Sequence, residues 1–139
     1  MKPYYSDEYV TLYHGDWRGV AAWLDAGVMV TDPPYGIGWT KGADTKNGSR
    51  PHDGIQNDHD TEARDLILSQ WGRKPAAVFG SLYGVFPKDV RHALVWERPQ
   101  DAGLFGATIG FRRDVELVFL LGDWPSLPPR WGSEIGRAH

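Results

Sequence analysis

Four consecutive residues carry the sharpest chemical signal in the chain: Asp32-Pro33-Pro34-Tyr35. They follow Val28-Met29-Val30-Thr31, a short apolar run of the kind found in strands buried on both faces. Each proline fixes φ and lacks an N–H. A residue before a proline is pushed toward extended geometry, so Asp32 and Pro33 are both held extended. A sheet ladder stops there. The Pro33 carbonyl is left to accept a hydrogen bond, and the Asp32 carboxylate is a second acceptor beside it. Tyr35 supplies a flat aromatic face. Two acceptors and a stacking plate form a receptor for a planar ring that bears an exocyclic NH₂.

Such an amine, as on adenine N6 or cytosine N4, has its lone pair delocalised into the ring and is a poor nucleophile. Two acceptors on its hydrogens favour a more tetrahedral nitrogen with a localised lone pair. They also stabilise positive charge as that nitrogen attacks an electrophilic methyl group. A base inside a duplex must first be flipped out, at a cost of a few kcal/mol. Stacking on Tyr35 offsets about 1–3 kcal/mol of that.

The surrounding pattern predicts the elements that position these groups. Strands are expected near residues 10–14, 28–32, 75–80, 92–97 and 114–121, and helices near 17–26 and 61–72. Val20, Ala21, Trp23 and Leu24 share one face of the first helix, Asp16 can cap it, and Gly27 ends it. Ala63, Leu66, Ile67 and Gln70/Trp71 mark the second, with Asp60 or Thr61 as cap. Residues 82–90 read as a short helix or turn broken by Pro87, and 98–113 as a Gly-rich excursion. Residues 36–60 show no periodicity and read as a long mobile loop. Residues 122–139 read as an irregular Pro-rich tail. Alternating strands and helices predict a single α/β domain over 1–139 with a mostly parallel sheet. Such sheets bind ligands at the carboxyl ends of their strands, where both Gly15-Asp16 and Asp32-Pro33-Pro34-Tyr35 fall.

Thr31-Asp32-Pro33-Pro34-Tyr35-Gly36 resembles the catalytic motif of the amino-methylating DNA methyltransferases that use S-adenosylmethionine. Leu12-Tyr13-His14-Gly15-Asp16 is similar to the segment that precedes it in the circularly permuted members. The resemblance continues through Ala77-Val78-Phe79-Gly80, Val95-Trp96-Glu97-Arg98-Pro99 and Asp114-Val115-Glu116, and so covers most of the chain. It implies a partial Rossmann-like sheet. It also implies that Asp32, Pro33, Pro34 and Tyr35 form the catalytic motif, with Asp32 and the Pro33 carbonyl holding the target amine and Tyr35 stacking on the base, and that Tyr35, Gly36 and Trp39 bind the substrate. Asp16 would contact the adenosyl part of the cofactor. The implied substrate is double-stranded DNA, with adenine N6 favoured by the leading Asp. The family's Phe-x-Gly-x-Gly loop for S-adenosylmethionine is not found: Phe79-Gly80-Ser81 and Phe105-Gly106-Ala107 do not fit. The expectation is therefore a catalytic half without the cofactor-binding strands, with another chain or segment supplying them. The alternative is a non-catalytic remnant that binds DNA or a partner chain.

Composition excludes several other classes. The chain of 139 residues has no cysteine, which rules out a disulfide scaffold, a thiolate zinc site and a cysteine nucleophile. No apolar run approaches the roughly 20 residues that span a bilayer, and the polar start reads as no signal peptide, so the expected compartment is the cytoplasm. Net charge is −3. Residues 1–70 hold 6 Lys/Arg against 11 Asp/Glu, whereas 71–139 hold 9 against 7, so a phosphate-contacting surface is expected in the second half. Arg91, Arg98, Arg112, Arg113 and Arg130 are its candidates, with ordinary surface solvation equally consistent. Gly36-Ile37-Gly38 lacks the third glycine of a dinucleotide loop, Lys41 standing in its place. Gly80-Ser81-Leu82-Tyr83-Gly84 lacks nucleophile-elbow spacing. His52, Asp53, Asp58, His59 and Asp60 read as a solvated polar loop and not as metal ligands. Trp124 and Trp131 read as packing residues.

Overall fold

A computed structural model describes residues 1–38, 54–55, 57–97 and 115–126. The chain starts with a small antiparallel hairpin, β1 (Tyr5–Ser6) and β2 (Thr11–Leu12). Its turn is built by Asp7, whose carboxylate accepts from the amides of Tyr9 and Val10 at 2.8 Å each. The remaining strands form one four-stranded sheet: β3 (Met29–Thr31), β4 (Ala76–Gly80), β5 (His92–Glu97) and β6 (Val115–Leu121), in the order β3-β4-β6-β5. One helix, α1 (Glu62–Trp71), lies between β3 and β4 in the chain.

The α/β class is as expected, and the sheet is mixed, with three strands in one direction and β6 reversed. Among the described residues only β3 and β4 pair in parallel; β6 runs antiparallel to both β4 and β5. The parallel pair has the connection such pairs need, a long crossover with a helix. Among the described residues no helix follows β4, so the strand–helix alternation that predicts parallel neighbours ends there. The segment expected as strand 10–14 is confined to β2 and lies apart from the sheet.

The core covers one face of this sheet. Cross-strand partners share a face, and the pairs Ala76↔Leu121, Val78↔Phe119 and Gly80↔Leu117 are all buried. Met29 extends the layer onto β3. Ile67, Leu68 and Trp71 of α1 close it, together with Trp23 and Val90. Gly80 is a packing requirement: a Cβ there would stand 2.5 Å from Cε2 of Phe119. On the opposite face Phe79 meets Trp96 edge-on, ring centroids 6.0 Å apart.

Two expectations about helices need correction. Residues 17–26 do not form one helix. They form two 3₁₀ turns, Trp17–Gly19 and Ala22–Asp25, separated by an extended Val20. The cause is a tower of tryptophans. Trp17 meets Trp23 edge-on at 5.7 Å, and Trp23 stacks on Trp71 at 5.9 Å. Lys74 caps the tower, its Nζ 3.7 Å from the Trp71 ring centre and bonded to the carbonyls of Leu24 and Ala26. The inner face of α1 also differs. Trp71 and Ile67 point inward as expected, but Leu66 is exposed and Arg64 is buried. Arg64 can be buried because its guanidinium bonds Asp65 Oδ1 and the Val85 carbonyl. Asp60 caps α1 by accepting from the Glu62 amide at 3.0 Å, and Gly72 ends it at φ +73°. Residues 82–90 are turns and irregular chain with Pro87 buried. Among the described residues no helix is long and apolar enough to cross a membrane.

Candidate functional site

The site forms where β3 ends. Pairing with β4 stops at Thr31↔Val78, while β4 runs on to Gly80. The chain leaves the sheet at Asp32 and Pro33, where proline removes the donors a ladder needs. Asp32 is exposed; Pro33, Pro34, Tyr35 and Gly36 are half-buried. The Tyr35 hydroxyl donates to Asp32 Oδ1 at 2.9 Å. The aromatic plate and the acceptor thus form one unit. A carboxylate has two oxygens and about four acceptor sites, so this bond leaves Asp32 capacity for an amine N–H.

The turn after Tyr35 is held from two sides. Gly36 and Gly38 both adopt left-handed backbone, φ +71° and +60°. The Gly36 amide donates to Asp58 Oδ1 at 2.9 Å and the Gly38 amide to the Asp58 carbonyl at 2.6 Å. On the other side lies the chain after β4. A Cβ on Gly84 would come 3.0 Å from the Tyr35 carbonyl. That loop is tied to α1 through the bond from Arg64 to Val85.

Asp58 corrects the expectation of a solvated loop at 58–60, since it is only 2% exposed. Among the described residues no group of three or more His, Asp or Glu is arranged to hold a metal. His52, Asp53 and the base-lining candidate Trp39 fall outside the described residues. So do most of the 36–60 segment, Arg98, Arg112, Arg113, Arg130, Trp131 and most of the 122–139 tail. Arg91 pairs with Asp123 at 3.3 Å. Ser81 accepts from the Tyr83 amide, a turn role. Trp124 is exposed and bonds the Leu121 carbonyl.

Asp16 is a cap, as expected, though of a 3₁₀ turn. Its carboxylate accepts from the Arg18 amide at 2.9 Å and pairs with the Arg18 guanidinium at 2.7 Å. The amide bond first, and then the guanidinium charge, hold its carboxyl below the usual range. The residues just before the two acids, Gly15 and Thr31, line one cavity of about 410 Å³. Tyr13, Trp17, Trp23 and Trp71 line it together with Val28 and Val30. The aromatic walls suit a flat heterocycle. Among the described residues no charged side chain lines the cavity, so the ammonium and carboxylate of an amino-acid tail would find no side-chain counter-ion there. The described residues therefore fit S-adenosylmethionine only in part.

Of the residues singled out in the sequence, Asp32 and Tyr35 are brought together and Asp16 caps a turn. It missed Asp58, Gly84 and Arg64, which hold the loop in place. The one available signal was the pair of glycines at 36 and 38, which mark a tight turn in need of an anchor. No protein-family model, curated protein or solved structure matches the chain.

Proposed function

We propose that this chain carries the base-holding half of an amino-methylating DNA methyltransferase, acting on adenine N6 in preference to cytosine N4. The observation that carries this reading is the Tyr35–Asp32 unit at the carboxyl end of β3. A flipped base stacks on the Tyr35 ring while its amine donates to Asp32 and to the Pro33 carbonyl. Both acceptors strengthen as positive charge develops on the nitrogen, which is where a catalyst gains. The sheet is then part of a larger Rossmann-like sheet. The end position of β3 and the 71% exposure of Val30 support that extension. An edge strand this apolar is normally paired or covered. The methyl donor's charged tail would be held by a segment or partner chain that completes the cavity, and no step is assigned to this chain's residues beyond holding and polarising the amine.

The reading is tested with two duplexes that differ at one mismatched position, adenine or hypoxanthine. Hypoxanthine presents an oxygen where adenine presents NH₂ and carries its ring hydrogen on N1, so both bonds from the exocyclic amine are lost, worth about 1–3 kcal/mol in all. Fluorescence anisotropy should show tighter binding to the adenine duplex, by roughly 5- to 150-fold. The Asp32→Ala variant should lose the preference, and Tyr35→Ala should weaken binding to both duplexes. Equal affinity of the wild type for the two duplexes would overturn the reading.

A further inference from the structure

We propose that Asp58 is the positioning residue that keeps Tyr35 on Asp32. The proposal rests on the base-holding reading of that pair. Asp58 is one of only two buried polar or charged side chains among the described residues, the other being Arg64. A buried carboxylate is costly unless it is hydrogen-bonded, and this one is spent on the backbone immediately after the plate. Its Oδ1 takes the Gly36 amide at 2.9 Å and its carbonyl takes the Gly38 amide at 2.6 Å. Two bonds from one residue fix the turn at both ends. The Asp60 backbone packs closely against Gly36: a Cβ built there would stand 3.1 Å from the Asp60 carbonyl. Asp58 is in turn fixed two residues before the cap of α1, where Asp60 holds the Glu62 amide. The helix therefore sets Asp58, Asp58 sets Gly36, and Gly36 sets the direction in which Tyr35 leaves the chain. Gly84 closes the other side against the Tyr35 carbonyl. Without Asp58 the Gly36 amide loses its acceptor, and the short link between Tyr35 and the helix becomes free to rotate.

The test uses the 139-residue protein labelled with ¹³C at the tyrosine Cζ and with ¹⁵N throughout. Tyr35→Phe removes the Tyr35 signal and so assigns it, and Asp32→Ala gives its position without the carboxylate. Asp58→Ala should move the Tyr35 Cζ signal to the Asp32→Ala position and speed exchange of the Gly36 amide about tenfold. The amides of β4 and β6 should keep their protection. Asp58→Asn retains an oxygen acceptor and should restore both signals, which a general loss of packing would not do. A folded Asp58→Ala protein with the wild-type Tyr35 signal overturns the proposal. If Asp58→Ala does not fold, Asp58→Asn and the wild type decide. A Gly36 amide that exchanges as a free amide in the folded wild type overturns it, as does loss of the Tyr35 signal position in folded Asp58→Asn. These signals report the pair with no nucleic acid present. An absent adenine preference alongside a responsive Tyr35 signal defeats the base-holding reading and leaves the positioning role standing.

Discussion

Gly80→Ala tests the packing that places the site, and its size follows from the contact it creates. The new Cβ would lie 2.5 Å from Phe119 Cε2, 3.2 Å from Cδ2 and 3.7 Å from Cζ. Carbon atoms rest at about 3.5–4.0 Å, so the ring must move by about 1 Å. Phe119 is only 2% exposed, and Phe86 stands against it with ring centroids 4.7 Å apart. Overpacking of this kind costs about 1–3 kcal/mol. The smaller conformational entropy of alanine in the unfolded chain offsets about 0.4–1 kcal/mol. The net loss is about 0–2.6 kcal/mol, centred near 1.3 kcal/mol. Urea denaturation followed by circular dichroism should show a lower midpoint with an unchanged slope. In a Phe119→Leu background the added methyl has room, so the double-mutant cycle should show compensation of about 1 kcal/mol. A Gly80→Ala protein more stable than wild type, or a cycle with no coupling, would refute the Val78↔Phe119 and Gly80↔Leu117 register and the reasoning built on it.

Three other outcomes are expected. Lys74→Met removes a charge from the Trp71 face and two carbonyl bonds, and should lower stability by about 1–2 kcal/mol in the same denaturation assay; an unchanged midpoint would mean the tower does not depend on its cap. The Asp123 carboxyl is held below its usual range by its bonds to Arg73. Its folded value is depressed, so the stability it contributes is full above the unfolded value of about 3.9 and is lost as pH falls through the lower folded value. The gap in Tm between wild type and Asp123→Asn should therefore close in acid; a gap that widens there has the wrong sign. Calorimetric titration of this chain with S-adenosylmethionine should give no micromolar binding, because among the described residues no charged side chain lines the cavity between Gly15 and Thr31; micromolar affinity would show that these walls suffice.

How far the sequence reveals the fold depends on what local residues decide. The strands 76–80, 92–97 and 115–121 are legible because apolar and β-branched runs end at glycine, proline or charge. The helix over 62–71 is legible from Asp60 before it and Gly72 after it. The segment 17–26 has helical spacing, yet stacking on Trp71, which lies far along the chain, outweighs that weak preference and splits it. The burial of Arg64 depends on a carbonyl twenty-one residues away, which no periodicity encodes. The direction of β6 likewise depends on which strand it pairs with. At the site, Asp32 and Tyr35 are legible because their backbone is fixed by two adjacent prolines. Asp58 is not, because the same residue type in a polar stretch is ordinarily solvated, and only the folded chain brings it under Gly36.

Whether Asp32 and Tyr35 receive an amine-bearing base is tested most directly by residue-resolved NMR. The labelled protein is titrated with adenosine and, separately, with inosine, in which the 6-NH₂ becomes an oxygen and N1 gains a hydrogen. Adenosine should move the Tyr35 Cζ and Gly36 amide signals in a saturable way, inosine should leave them nearly in place, and Asp32→Ala should abolish the difference. Equal shifts with the two nucleosides, or shifts confined to residues away from the carboxyl end of β3, would contradict a base-holding role for this pair.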